Sequence, residues 1–92
     1  VNFEWDPQKA SSNLDKHEVG FDEASRVFLD LNRIETFDGR NDYGEDRWKT
    51  VGLVDVALLA VTYTVRGKNA DIIRLISARK ADRYEREEYG QV

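Results

Sequence analysis

Apolar and polar positions along this chain follow a helical period at first and a two-residue period later. Phe3-Glu4-Trp5 reads as a short strand. Asp6-Pro7 then starts a helix, with Asp as N-cap and Pro at the first helical position. Ala10, Asn13, Leu14 and His17 recur at helical spacing and define one face. Val19-Gly20 breaks this helix. A second begins at Phe21, with Asp22 and Glu23 in its first turn and Phe21, Ala24, Val27 and Phe28 as its apolar stripe. From Arg33 the pattern becomes that of strands: Arg33–Phe37, Arg47–Leu53 broken by Gly52, Leu58–Val65 and Ile72–Ser77. A polar loop, Asp38–Gly44, and a turn, Arg66–Asn69, connect them. Four successive strands with short connections predict an antiparallel meander with the helix pair on one face, hence a single α+β domain over residues 1–92.

The segment Arg74–Tyr89 changes the picture. Its strand ends near Ser77 and a C-terminal helix follows at once, which places Arg79 and Lys80 in the first turn and Glu85, Glu87 and Glu88 near the end. A helix prefers anions at its start and cations at its end, each worth roughly 0.3–1 kcal/mol, so this charge order is inverted. Free N–H groups and fixed cations would then converge on one place, a seat for a phosphate. On a helical wheel Arg79, Arg83 and Arg86 form one stripe, opposite Ala81, Tyr84 and Glu88. Arg79, Lys80, Arg83 and Arg86 are the phosphate-binding candidates. The plainer alternative is a solvated face held by the i,i+4 pairs Asp82–Arg86 and Arg83–Glu87.

Composition adds limits. A chain of 92 residues buries only a little over ~60% of its unfolded surface, so a partner can matter to its stability. No apolar run approaches the ~18 residues needed to span a bilayer, and no signal-peptide pattern opens the chain. Cysteine is absent, which fits a reducing compartment and leaves no thiolate metal site, so the expected location is the cytoplasm. The net charge of −4 opposes a simple nucleic-acid binder, but its distribution is uneven. Residues 1–65 carry seven basic and thirteen acidic side chains, whereas Arg66–Arg86 carries seven against three.

Several single residues bear on chemistry. His17 is the one histidine, suited to proton transfer near neutrality, though it lies in line with Ala10 and Leu14 and fits a half-buried helix position equally well. Lys9 and Lys16 are cations near it. Arg74 interrupts an apolar strand; alternation puts it with Ile72 and Ile76, opposite Ile73, Leu75 and Ser77, where it needs a carboxylate or a ligand phosphate. Arg66 ends its strand, at the rim of the same site or merely exposed in the turn. Trp48 and Tyr63 fit core positions better than base-stacking platforms. The acidic residues Asp42, Glu45 and Asp46 lack the ligand pattern of a calcium loop, and no metal or cofactor is expected.

Five phrases carry a family resemblance: FEWDPQK at 3–9, NLDKHEVGFDEASRVF at 13–28, YGEDRW at 43–48, VTYTVRG at 61–67 and IRLISARKADRYEREEY at 73–89. Together and in this order they resemble the BrnT family, toxins of type II toxin–antitoxin modules. The resemblance implies a RelE-like fold and metal-independent cleavage of single-stranded RNA that inhibits translation. It further implies neutralisation by a BrnA-like antitoxin whose ribbon-helix-helix domain contacts operator DNA. Within it, His17, Arg66, Arg74, Arg79 and Lys80 become the catalytic candidates. Glu18 departs from the family pattern, where glycine is more usual. The competing hypothesis is a non-catalytic binding module that serves as a co-repressor subunit.

Overall fold

The computed structural model describes residues 1–39 and 44–90. Its elements are β1 (Asn2–Glu4), α1 (Pro7–His17), α2 (Phe21–Ser25), a 3-10 turn (Arg26–Leu29), β2 (Ile34–Asp38), β3 (Arg47–Val54), β4 (Ala57–Arg66), β5 (Ile72–Lys80) and α3 (Arg83–Tyr89). The fold is α+β, with a five-stranded sheet in the order β1-β5-β4-β3-β2. Strands β2 to β5 form the expected antiparallel meander. β1 departs from it by pairing parallel to β5, Asn2 opposite Ile72 and Glu4 opposite Arg74. The second helix is shorter than its apolar stripe suggested, because the chain tightens into the 3-10 turn at Arg26. Among the described residues no helix is long and apolar enough to cross a membrane. Residues 40–43 of the polar loop, Asp42 included, lie outside the described residues.

One face of the sheet carries the main core. Leu59, Val61, Tyr63, Leu75 and Ala78 pack there against Val19, Phe21, Ala24 and Val27. A smaller cluster of Val51, Ala60 and Ala81 lies on the other face, with Leu58 and Tyr89 against it. α1 starts as the sequence indicates: Asp6 accepts a hydrogen bond from the Gln8 N–H at 2.9 Å, with Pro7 in the first turn. Its inward line is Ala10, Asn13 and His17, whereas Leu14 turns out to solvent, 52% exposed. The helix stops at Glu18, whose backbone is left-handed at φ 59°. A side chain in that region costs about 1 kcal/mol, which a glycine would avoid.

Gly52 does not interrupt β3. A Cβ at that position would stand 2.9 Å from Val27 Cγ2 and 3.1 Å from Arg33 Cβ, so the missing side chain lets the 3-10 turn lie close on the strand. The return from that turn is tied by Asp30. Its Oδ2 accepts from the Leu53 N–H at 2.8 Å and the Tyr89 hydroxyl at 2.6 Å, joining the turn, β3 and α3. The Leu53 N–H, followed by Tyr89, holds the Asp30 carboxyl below its usual range despite some desolvation.

Two stability predictions follow from these backbone features. Glu18→Gly is expected to stabilise the fold by about 1 kcal/mol, raising Tm by ~4–8 °C in a domain of this size. Gly52→Ala is expected to cost about 1–3 kcal/mol through overpacking. Urea unfolding of both variants, monitored by circular dichroism, measures each.

Candidate active site

α1 runs beside β5 where β1 has stopped, and between the two lies an open cleft of about 540 Å³. From α1 it is lined by Lys9, Ser12, Asn13, Lys16 and His17, and from β5 by Ile76 and Ser77; Asp6 and Gln8 complete it at the start of the helix. Lys9, Ser12 and Lys16 reach one side of α1 because they are spaced three and four residues apart. Two ammonium groups therefore face a single lining carboxylate, Asp6, which is already engaged in capping. The half-buried His17 adds an imidazole to the same cleft. An imidazole, two ammonium groups and the Ser77 hydroxyl can move a proton and oppose the negative charge of a phosphodiester.

The predicted seat at the last helix is corrected by the structure. β5 continues through Lys80, so Arg79 and Lys80 belong to a strand, and α3 begins at Arg83 with Asp82 as its N-cap. Asp82 accepts from the Glu85 N–H at 2.9 Å and Glu85 accepts from the Asp82 N–H at 2.8 Å, a reciprocal capping box. Glu85 thus stands in the first turn, and Arg79 and Lys80 leave the helix, so only Arg83 at its start and Glu87 and Glu88 at its end keep the inverted order. The cause lies in the three-residue spacing of Asp82 and Glu85, a stronger start signal than the position of the arginines. The packing stripe is corrected too: Glu85 is buried and Tyr89 half-buried, whereas Tyr84 is 83% exposed.

Arg79 donates to both Glu85 carboxylate oxygens, at 2.7 and 2.9 Å, and Lys49 Nζ adds a third bond at 2.8 Å. Glu85 is only 4% exposed, so these bonds compensate a buried charge. Burial pushes its carboxyl up, but the hydrogen bonds from Arg79, Lys49 and the Asp82 N–H outweigh it and hold the group at about 2. Arg79 itself remains 39% exposed. Thr62 stands opposite Ser77 in the ladder, and Ala60 opposite Arg79. Arg79 and Ser77 therefore share a sheet face, about 7 Å apart along the strand.

The remaining candidates are dispersed. Arg74 pairs with Glu4 at 2.7 Å. Its neighbours also differ from simple alternation, because a bulge shifts the register between Thr62 and Tyr63 and skips Ile76. Arg74 consequently shares its face with Ser77, while Ile73 and Leu75 face the helices. Arg66, opposite Ile72 at the far end of β5, meets Glu45 at 3.0 Å, and Arg47 meets the same carboxylate at 3.4 Å. Lys80 is exposed at the end of β5. Arg83 pairs with Glu87 at 3.1 Å, and Arg86 donates to the Ala81 carbonyl. Tyr63 is core, edge-on to Phe28 at 5.0 Å, and burial with the Glu35 carboxylate nearby pushes its phenol up to about 12. Trp48 packs partly against the same core.

Comparison with known proteins gives these elements a context. A family model described as the ribonuclease toxin BrnT of type II toxin–antitoxin systems matches residues 5–85. The chain belongs to the BrnT family. Among solved structures, the ribonuclease toxin BrnT of Brucella abortus superposes with a TM-score of 0.66 at 22% identity, covering 90% of this chain and 100% of that one. At this identity the likeness concerns the fold. No curated protein matches. Family membership makes the protein a ribonuclease toxin whose module includes an antitoxin.

Within this BrnT fold, three residues with a place near the site escaped the sequence pattern. Lys49 and Glu85 lie 36 residues apart and meet only because α3 packs on β3. Asn13 looks like a poor helix residue until its partners on β5 are known. Only the Asp82–Glu85 spacing was a legible signal, and it pointed to a cap.

Acid titration tests the ion network. Glu85 has its ordinary value near 4.5 when unfolded and about 2 when folded, so its contribution is complete above pH 4.5 and lost as pH falls towards 2. Glu85→Gln should lose about 2 kcal/mol at neutral pH and flatten the stability profile over that window, as read by urea midpoints between pH 2 and 7.

Proposed function

We propose that the protein is a metal-independent endoribonuclease of the RelE-like kind, cleaving single-stranded RNA in the α1–β5 cleft and so inhibiting translation. The observation that carries this reading is the meeting of His17 with Lys9, Lys16 and Ser77 in one open cleft. His17 takes or returns the proton, the lysines engage the phosphate, and Arg79 supplies further positive potential from the adjoining sheet face. Arg74 and Arg66 act from the same face at greater distance, each with a carboxylate partner to displace or share. Lys80, Arg83 and Arg86 serve the approach of the RNA backbone.

In this reading a 2′-hydroxyl loses its proton and attacks the adjacent phosphorus while the 5′-oxygen leaves with a proton. Proton transfer by a positioned side chain contributes roughly 10²–10⁴-fold. Each lost charge-stabilising donor costs roughly 2.7–4 kcal/mol in barrier. A BrnA-like antitoxin with a ribbon-helix-helix domain neutralises the toxin, carries it to operator DNA and covers the cationic cleft. The acidic remainder of the chain weakens long-range attraction of nucleic acid, so RNA is held by short-range contacts.

Incubation of the purified toxin with labelled single-stranded RNA in excess chelator should give cleavage. His17→Ala should lower it by about 10²–10⁴-fold. Arg79→Ala should lower it by about 10²-fold, together with a loss of stability through Glu85. Intact RNA across a wide range of wild-type concentrations would favour the co-repressor module instead.

A further inference from the structure

Asn13 stands in the interior of α1, a position where asparagine is a weak helix former, yet it is only 6% exposed. Its carboxamide uses both donors and its oxygen. Nδ2 donates to the Ala78 carbonyl at 2.8 Å and to the Val19 carbonyl at 3.0 Å, and Oδ1 accepts from the Ala78 N–H at 3.0 Å. The two bonds to Ala78 reproduce what a neighbouring strand would offer β5. They come where β1 has ended and just after the bulge at Ile76. The third bond fixes the chain as it leaves α1. His17 is therefore bracketed, with the anchor one turn before it and the anchored Val19 two residues after it. Ile76 and Ser77, immediately before Ala78, form the opposite wall.

We propose that Asn13 is a positioning residue of the cleft: its buried carboxamide sets the register of α1 on β5, and thereby where His17 stands relative to Ser77. This rests on the reading of His17 as the proton-transfer group. Apolar contacts alone would let a helix shift along a strand edge, because they have no direction. Two opposed hydrogen bonds to one residue do not permit that. A displacement near 1 Å at a reacting group can cost about 10²-fold in rate.

Single-turnover RNA cleavage by the full chain tests this in a cycle of Asn13→Ala, His17→Ala and the double variant, each rate divided by the folded fraction from circular dichroism. Asn13→Ala is expected to lower the cleavage rate about 10–100-fold while the apparent KM for RNA changes less than threefold. In the His17→Ala background the same change should cost less than threefold, because the group it positions is gone. Full multiplicative loss in that background, or an unchanged rate per folded molecule, would overturn the proposal. Full activity in His17→Ala would instead remove the underlying reading. Should Asn13→Ala fail to fold, hydrogen exchange in the wild-type protein decides. Slow exchange of the Asn13 carboxamide and the Ala78 amide is expected, and exchange at the rate of an exposed amide would overturn the clamp.

Discussion

Strand β5 has two edges whose backbone groups must all find partners, and the rest of the molecule is arranged around that requirement. β4 covers one edge along its length. The other is shared between β1, parallel over three residues, and the side chain of Asn13. An unpaired buried N–H or C=O costs about 1–3 kcal/mol, comparable to a sizeable fraction of the stability of a domain this small. Replacing a strand by one carboxamide lets a helix occupy the place where a strand would otherwise lie. The cleft exists because of that substitution: a strand would have filled the space that α1 leaves open beside Ile76 and Ser77.

The second organising element is the buried carboxylate of Glu85. It terminates the strand-to-helix connection through the capping box and gathers Arg79 and Lys49 from two strands. Three donor groups, Arg79, Lys49 and the Asp82 N–H, thus surround one buried anion. The arginine is held in one orientation by its two bonds to the carboxylate.

These two devices divide the groups of the proposed site between a helix and a strand. His17 and its lysines belong to α1, whereas Ser77 and Arg79 belong to β5. Chemistry in such a site depends on the docking of a helix on a strand edge. An antitoxin that filled the cleft would meet both elements at once, so masking the cleft's lysines and fixing the helix would be one event.

Much of the architecture was legible from local rules. Asp6-Pro7 marked the start of α1, and alternation marked four strands to within a few residues, because both signals arise within one turn or one strand. The ordered phrases along the chain also identified the BrnT family, and the match over residues 5–85 bears this out. What escaped involved partners distant in sequence. The parallel pairing of β1 joins residues 2–4 to 72–74, and the bulge at Ile76 reverses which side chains share a face. Arg79 read as a helix-end cation because nothing local reveals that β5 has a strand partner as far as Leu59. Period and local start signals determined which segments become helix or strand, and the ordered phrases carried the likeness to the family. The tertiary structure decided which carboxylate each cation meets and which residues line the cleft, because burial and hydrogen-bond satisfaction are settled only when distant segments share the same space.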